Sequence, residues 1–202
     1  MYVVSEKEVA DAVLTTLSTW LDYTLAALEL ERNIPVRQTP RPNSLGIFHS
    51  ADFDLKPQGD DRPMVEVTVK PNGQPQRLGN GQSIGFYEIQ IAAVVVGQDE
   101  AAALDLGHLY GAAVMGVIEH NSDLGGLVTD TWLISQPETE FFDPAGPRRV
   151  TRTTTIFRTK VDSLVNDTDP NPESDGTLPP GSTPTTVNIT VAIVPIDESI
   201  DD

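Results

Sequence analysis

Alternating apolar and polar positions organise this chain. From Ile84 to Val96, the residues Tyr87, Ile89, Ile91, Ala93 and Val95 fall on one side, which predicts a strand. Gly97 and Gln98 end it, and Asp99 offers a side-chain oxygen to cap a helix that begins at Glu100. Leu104, Leu109, Tyr110, Ala113, Val114, Val117 and Ile118 carry that helix to about His120. Leu124-Gly125-Gly126 then turns the chain into a strand from Leu127 to Gln136, with Val128, Trp132 and Ile134 sharing a face.

An earlier helix is predicted from about Glu6 to Glu31. Ser5 and Glu8 have the S-x-x-E spacing of a capping box, and Asn33 and Pro35 close the helix. Val9, Val13, Leu17, Trp20, Leu21, Thr24 and Leu28 form its apolar stripe, read as a core face. Pro35 to Pro63 is irregular, with a short edge strand at Ile47-Phe48. Arg32, Arg37, Arg41 and Arg62 read there as solvated loop charge or as contacts to an acidic patch on a neighbouring subunit.

Met64 to Lys70 alternates cleanly, with Val65, Val67 and Val69 inward. Pro71 to Gly85 suits a long hairpin connection rather than a phosphate cradle, because Gly79-Asn80-Gly81 lacks the lysine and the strand-to-helix context. Gly107, Gly111 and Gly116 interrupt the second helix. Each glycine costs about 1 kcal/mol against alanine in a helix interior, which points to a close backbone approach there. Tyr110, between two of them, is expected against the sheet or the first helix. Phe141 to Pro147 reads as a turn-rich link into a strand from Arg148 to Leu164, whose many threonines and charges suggest a solvated face or a polar interface.

These elements predict an α+β fold. A mostly antiparallel sheet has two helices packed on one face, plus an extended C-terminal arm carrying one strand. Residues 1–165 form the domain, 166–186 an acidic Pro-rich linker, and 187–202 the strand arm, in which Val187, Ile189, Val191 and Ile193 alternate with smaller or polar residues. The competing arrangement has two subdomains divided near Phe142.

With 39% hydrophobic residues, the 202-residue chain can build a core. No run reaches the roughly 18 to 20 consecutive apolar residues of a membrane span, and the N-terminus lacks a secretory pattern, so no membrane partner is expected. The net charge is −17, and no Lys or Arg follows Lys160. Affinity for nucleic acid rests on Lys and Arg neutralising phosphates, so DNA is expected to pass without specific binding.

The chemistry is sparse. There is no cysteine, which removes thiol nucleophiles and cysteine-based metal sites. His49, His108 and His120 lack the i, i+4 spacing of a helical zinc pair. Glu88, Asp105, Asp130, Glu138 and Glu140 are nominal acid/base candidates, but Glu138 and Glu140 fall in a predicted loop and none is marked as paired or buried. No catalytic constellation, cofactor or metal is expected.

The order from Ile84 to Leu133, with Tyr110 and Ala113-Val114 inside the helix and Leu124-Gly125-Gly126 after it, resembles the tail-terminator proteins of long-tailed bacteriophages. The resemblance covers roughly Met1 to Val165 through diffuse motifs, with no single signature residue. It implies a non-enzymatic subunit of a virion, made in the host cytoplasm, that forms a homo-oligomeric ring, usually a hexamer. Such a ring caps the head-proximal end of the tail tube, with the tail tube protein and the head connector protein as partners. In a ring, the expected inter-subunit contacts are Arg148, Arg149, Arg152 and Arg158 on the polar strand, and Val187, Ile189, Val191 and Ile193 on the arm. The alternatives are a head–tail connector (neck) subunit, or a soluble acidic enzyme or ligand-binding domain.

Overall fold

A computed structural model describes residues 4–42, 46–50, 63–77, 83–143 and 149–163. All of them belong to a unit spanning Met1–Asp167. The arm expected over 166–202, with Val187, Ile189, Val191 and Ile193, lies outside the described residues. The elements are α1 (Glu6–Glu31), β1 (Ile47–His49), β2 (Met64–Pro71), β3 (Gln76–Arg77), β4 (Ser83–Gly97), α2 (Glu100–His120), β5 (Asp130–Asp143) and β6 (Arg149–Ser163).

Five strands lie in the order β1-β2-β4-β6-β5, and short β3 pairs alongside β4. Every pairing is antiparallel except β1 with β2. α1 packs over β1 and β2, while α2 packs over β4, β5 and β6 and against α1. The fold is therefore α+β with both helices on one face of a mostly antiparallel sheet, as the alternation predicts. The two-subdomain arrangement is ruled out, because β5 and β6 pair across the supposed boundary at Phe142.

Both helix starts follow their capping chemistry. Ser5 accepts from the Glu8 backbone N–H while Glu8 accepts from that of Ser5, so both sides of the capping box are formed. Asp99 accepts from the Ala102 N–H at 2.8 Å. The α1 core stripe is Val9, Val13, Leu17, Leu21 and Leu25, ending in buried Glu29. Trp20, expected in that stripe, is instead 45% exposed. One helical step from Leu21 turns it away from the sheet.

α2 is the central helix of the core. By length and composition it could cross a membrane, with a mean hydropathy of 1.4 over its most apolar window, yet half of that window is buried within the protein. Gly107 and Gly111 let it settle onto the sheet. A Cβ on Gly111 would lie 2.8 Å from Pro137 Cβ and 2.8 Å from Thr153 Cγ2; one on Gly107 would lie 2.7 Å from Thr153 Oγ1. The close approach predicted from these glycines is observed, and its target is the β5–β6 hairpin.

That packing corrects the reading of β6. Thr151, Thr153, Thr155 and Thr159 are buried beside Phe157 and Val161, so one face of this polar-looking strand is core. Most of the hydroxyls are satisfied locally: Thr151 donates to the Ala103 carbonyl at 2.9 Å, and Thr159 to that of Asp130 at 3.0 Å, while that of Thr155 has no partner among the described residues. β5 is also longer than predicted, reaching Asp143, so Glu138 and Glu140 are strand residues rather than loop residues. Pro137 is tolerated within it because β5 ends the sheet. Val128 does not share the strand's alternation, since it is buried before β5 begins at Asp130.

The connection after α1 is held by a buried carboxylate. Glu29 accepts from the backbone N–H groups of Arg37 at 2.8 Å and Thr39 at 2.7 Å. It also accepts from both terminal nitrogens of Arg41, at 3.2 and 2.7 Å. Arg41 Nε reaches Asp22 at 2.6 Å. Arg41 is thus tied to two carboxylates of its own chain, which corrects its reading as solvated loop charge. Tyr110 is buried and donates to the Pro40 carbonyl at 2.6 Å, pinning the same segment to α2. Burial pushes the Tyr110 phenol up from its ordinary value.

Candidate functional site

Side chains alternate across a strand, so the residues that leave the core define a second face. On that face β2 presents Glu66, Thr68 and Lys70, β4 presents Phe86, Glu88 and Gln90, and β6 presents Arg152, Ile156, Arg158 and Lys160. β5 adds Trp132 and Ile134, which are 37% and 43% exposed. Among the described residues no helix or strand covers this face.

Register arranges the face in rows. Lys70 stands opposite Glu88, Glu88 opposite Arg158, and Arg158 opposite Trp132, so one row alternates in charge and ends on an aromatic ring. Phe86 and Trp132 meet edge to face over β6, with ring centroids 6.4 Å apart and planes at 82°. Aromatic pairs in this geometry contribute about 0.5–1.5 kcal/mol beyond their burial. A second row sets Arg152 between Val94 and Glu140, and its Nη2 lies 3.6 Å from Glu66 Oε2.

The predicted contact residues divide as follows. Arg152 and Arg158 share the outer face. Arg149 heads β6 opposite Gly97, and Arg148 lies outside the described residues. Arg152 has Glu66 as an intrachain partner. Asn72, with its amide oxygen turned to the guanidinium, accepts from Arg158 at 2.9 Å from Nη2 and 2.8 Å from Nε. These arginines hold the face together as well as decorating it. The Phe86–Trp132 pair was not singled out from sequence. Its signal was available, because placing Tyr87 and Ile89 inward forces Phe86 outward.

Elsewhere, a cleft of about 400 Å³ between α1 and β1 is lined by Leu17, Leu21, Asp22, Arg37, Arg41 and Ile47. Of these, Arg41 is committed to Glu29, which does not line the cleft, and to Asp22. The Arg41 guanidinium, with help from the Thr39 and Arg37 N–H groups and against the pull of burial, holds the Glu29 carboxyl at about 2, far below the ordinary 4.5. A carboxylate held ionised by four donors is poorly placed to trade protons. Among the described residues no group of three or more His, Asp or Glu could hold a metal ion.

No protein-family model matches the chain, and no curated protein matches it in sequence.

Proposed function

We propose that the chain is a structural ring subunit of the tail-terminator kind, whose copies close a ring at the head-proximal end of a phage tail tube. One side of the ring meets the tail tube protein, and the other meets the head connector. The observation that carries this reading is the one-sided sheet: both helices pack on one face, and the other presents exposed Trp132 and Ile134 beside rows of alternating charge. Large exposed apolar residues rimmed by polar ones mark interaction surfaces. The acidic chain supports a passage that does not grip DNA, since few cations are present to neutralise phosphates.

In this reading, Val187, Ile189, Val191 and Ile193 add as a strand to a neighbouring subunit's sheet edge, satisfying backbone groups and filling pockets with alternate side chains. β5 is a candidate acceptor, since among the described residues it pairs only with β6.

Negative-stain microscopy of the purified chain, alone and with tail tubes, tests the proposal. Closed rings that seat on tube ends are expected. Rings that seat on portal complexes instead would move the assignment to a neck subunit. A chain that stays monomeric at high concentration and ignores tube ends would refute both.

A further inference from the structure

The outward side of α1 carries a second apolar stripe that the fold does not use. Trp20 is 45% exposed, while Tyr23 and Leu30 are each 71% exposed. With exposed Ala27, these residues follow the 3-4-3 spacing of a single helix face. Trp20 and Tyr23 already meet edge to face at 6.4 Å. The stripe lies opposite the one that packs on the sheet, so the second half of α1 is apolar on two sides.

Charge singles out the same region. The chain carries −17 overall, yet residues 12–42 hold three acids (Asp22, Glu29, Glu31) and three bases (Arg32, Arg37, Arg41), a net of zero. Asp22 and Glu29 are both paired with Arg41 within the chain. Two strongly acidic molecules repel most where their carboxylates meet, and a contact through this region adds no local charge repulsion to that of the whole chains.

The stripe is also self-complementary. Trp20 and Leu30 lie equally far on either side of Leu25, as do Tyr23 and Ala27. An antiparallel crossing of two copies at Leu25 therefore seats Trp20 against the Leu30 of the second copy, and Tyr23 against its Ala27, large on small. We infer that the outer face of α1 is a two-fold contact between two copies of this chain. Pairing two such stripes removes on the order of 800 Å² from water, short of the roughly 1,000 Å² of a stable interface, so the dimer is weak and depends on concentration. This contact stands apart from the ring reading, because a two-fold contact closes on itself whereas a ring needs head-to-tail contacts.

The test uses the full chain, whose lack of cysteine makes any introduced thiol unique. Ala27→Cys is treated with a short bis-maleimide beside a control, Asp105→Cys, on the exposed side of α2. Ala27→Cys should give a covalent dimer and the control should not. Adding Leu30→Glu to Ala27→Cys should abolish that dimer with an unchanged melting profile. Equal cross-linking at both sites, or a dimer that survives Leu30→Glu, overturns the inference. So does a Tyr23→Ser variant that melts several degrees lower at unchanged mass, which would mean the chain covers its own stripe. Closed rings in which Ala27→Cys stays uncross-linked would end this inference while leaving the ring reading intact.

Discussion

Glu29 and Arg41 form a two-pronged pair at the end of α1, with the guanidinium at 2.7 and 3.2 Å from the two carboxylate oxygens and the glutamate side chain wholly buried. Removing one partner of a buried pair strands the other, which costs about 3–5 kcal/mol. Glu29→Ala should therefore destabilise near the lower end of that range, since Asp22 still holds Arg41. The pH dependence follows from the sign of the shift. The folded carboxyl titrates at about 2 against an ordinary 4.5, so its contribution is present above 4.5 and is lost as pH falls from 4.5 towards 2. Thermal melts of the wild type and Glu29→Gln from pH 7 to 2 should converge across that window. A constant gap between the two would contradict the assignment.

The glycines of α2 make opposite predictions. At Gly111 the added methyl meets the Pro137 ring and the branched Thr153, neither of which can swing aside. Overpacking of about 1–3 kcal/mol should exceed the roughly 1 kcal/mol gain in helix propensity, so Gly111→Ala should destabilise. At Gly116 the nearest atom is Thr24 Cγ2 at 3.5 Å, an ordinary contact. There the propensity gain stands alone, and Gly116→Ala should stabilise by up to about 1 kcal/mol. Urea unfolding of the two variants decides the signs.

What the sequence made legible was local. The caps at Ser5 and Asp99, the inward valines of β2 and the close approach at Gly107 and Gly111 each follow from a rule about neighbouring residues. The misreadings came from distance. Trp20 fits a helical period with Leu17 and Thr24 as well as the true stripe does, and only the sheet's position turns it outward. Buried Glu29 continues the Val13, Leu17, Leu21, Leu25 series at four-residue steps, but its partner Arg41 lies 12 residues away. The threonines of β6 are polar by type, and nothing near them in sequence shows that α2 covers them. The uncovered face, the candidate site, emerges only once both helices are known to share the opposite side.

The buried threonines can be told apart by their hydroxyls. Thr155 Oγ1 is buried without a partner among the described residues, whereas Thr151 Oγ1 donates to Ala103. Valine keeps the branched shape and removes the hydroxyl. Thr155→Val should raise stability by about 1 kcal/mol, because an unsatisfied buried group costs about 1–3 kcal/mol. Thr151→Val should lower it by about 1 kcal/mol, the net worth of an ordinary hydrogen bond. In a chain of this size each change moves the melting midpoint by about 2–4 °C. Calorimetry should find the midpoints on opposite sides of the wild type, and the same direction for both would contradict the assigned bonding.

Salt should favour assembly. Each copy carries −17, with 30 acids against 13 bases, so bringing copies together meets long-range repulsion. Added salt shortens the screening length to about 8 Å at physiological strength, which weakens that repulsion more than it weakens contacts at bonding distance. The arrangement of charge on the uncovered face points the same way. Arg152 already has Glu66 at 3.6 Å, and Arg158 sits beside Glu88 in register, so few cations are left to bridge subunits. The apolar contributions, Trp132 and Ile134 on the sheet and Trp20 and Tyr23 on α1, do not weaken as salt is added. Sedimentation velocity across a salt series should show larger species at higher salt. Assemblies that fall apart as salt rises would mean that specific charge pairs between subunits outweigh the net charge, and would redirect attention from the aromatic residues to Arg152 and Arg158.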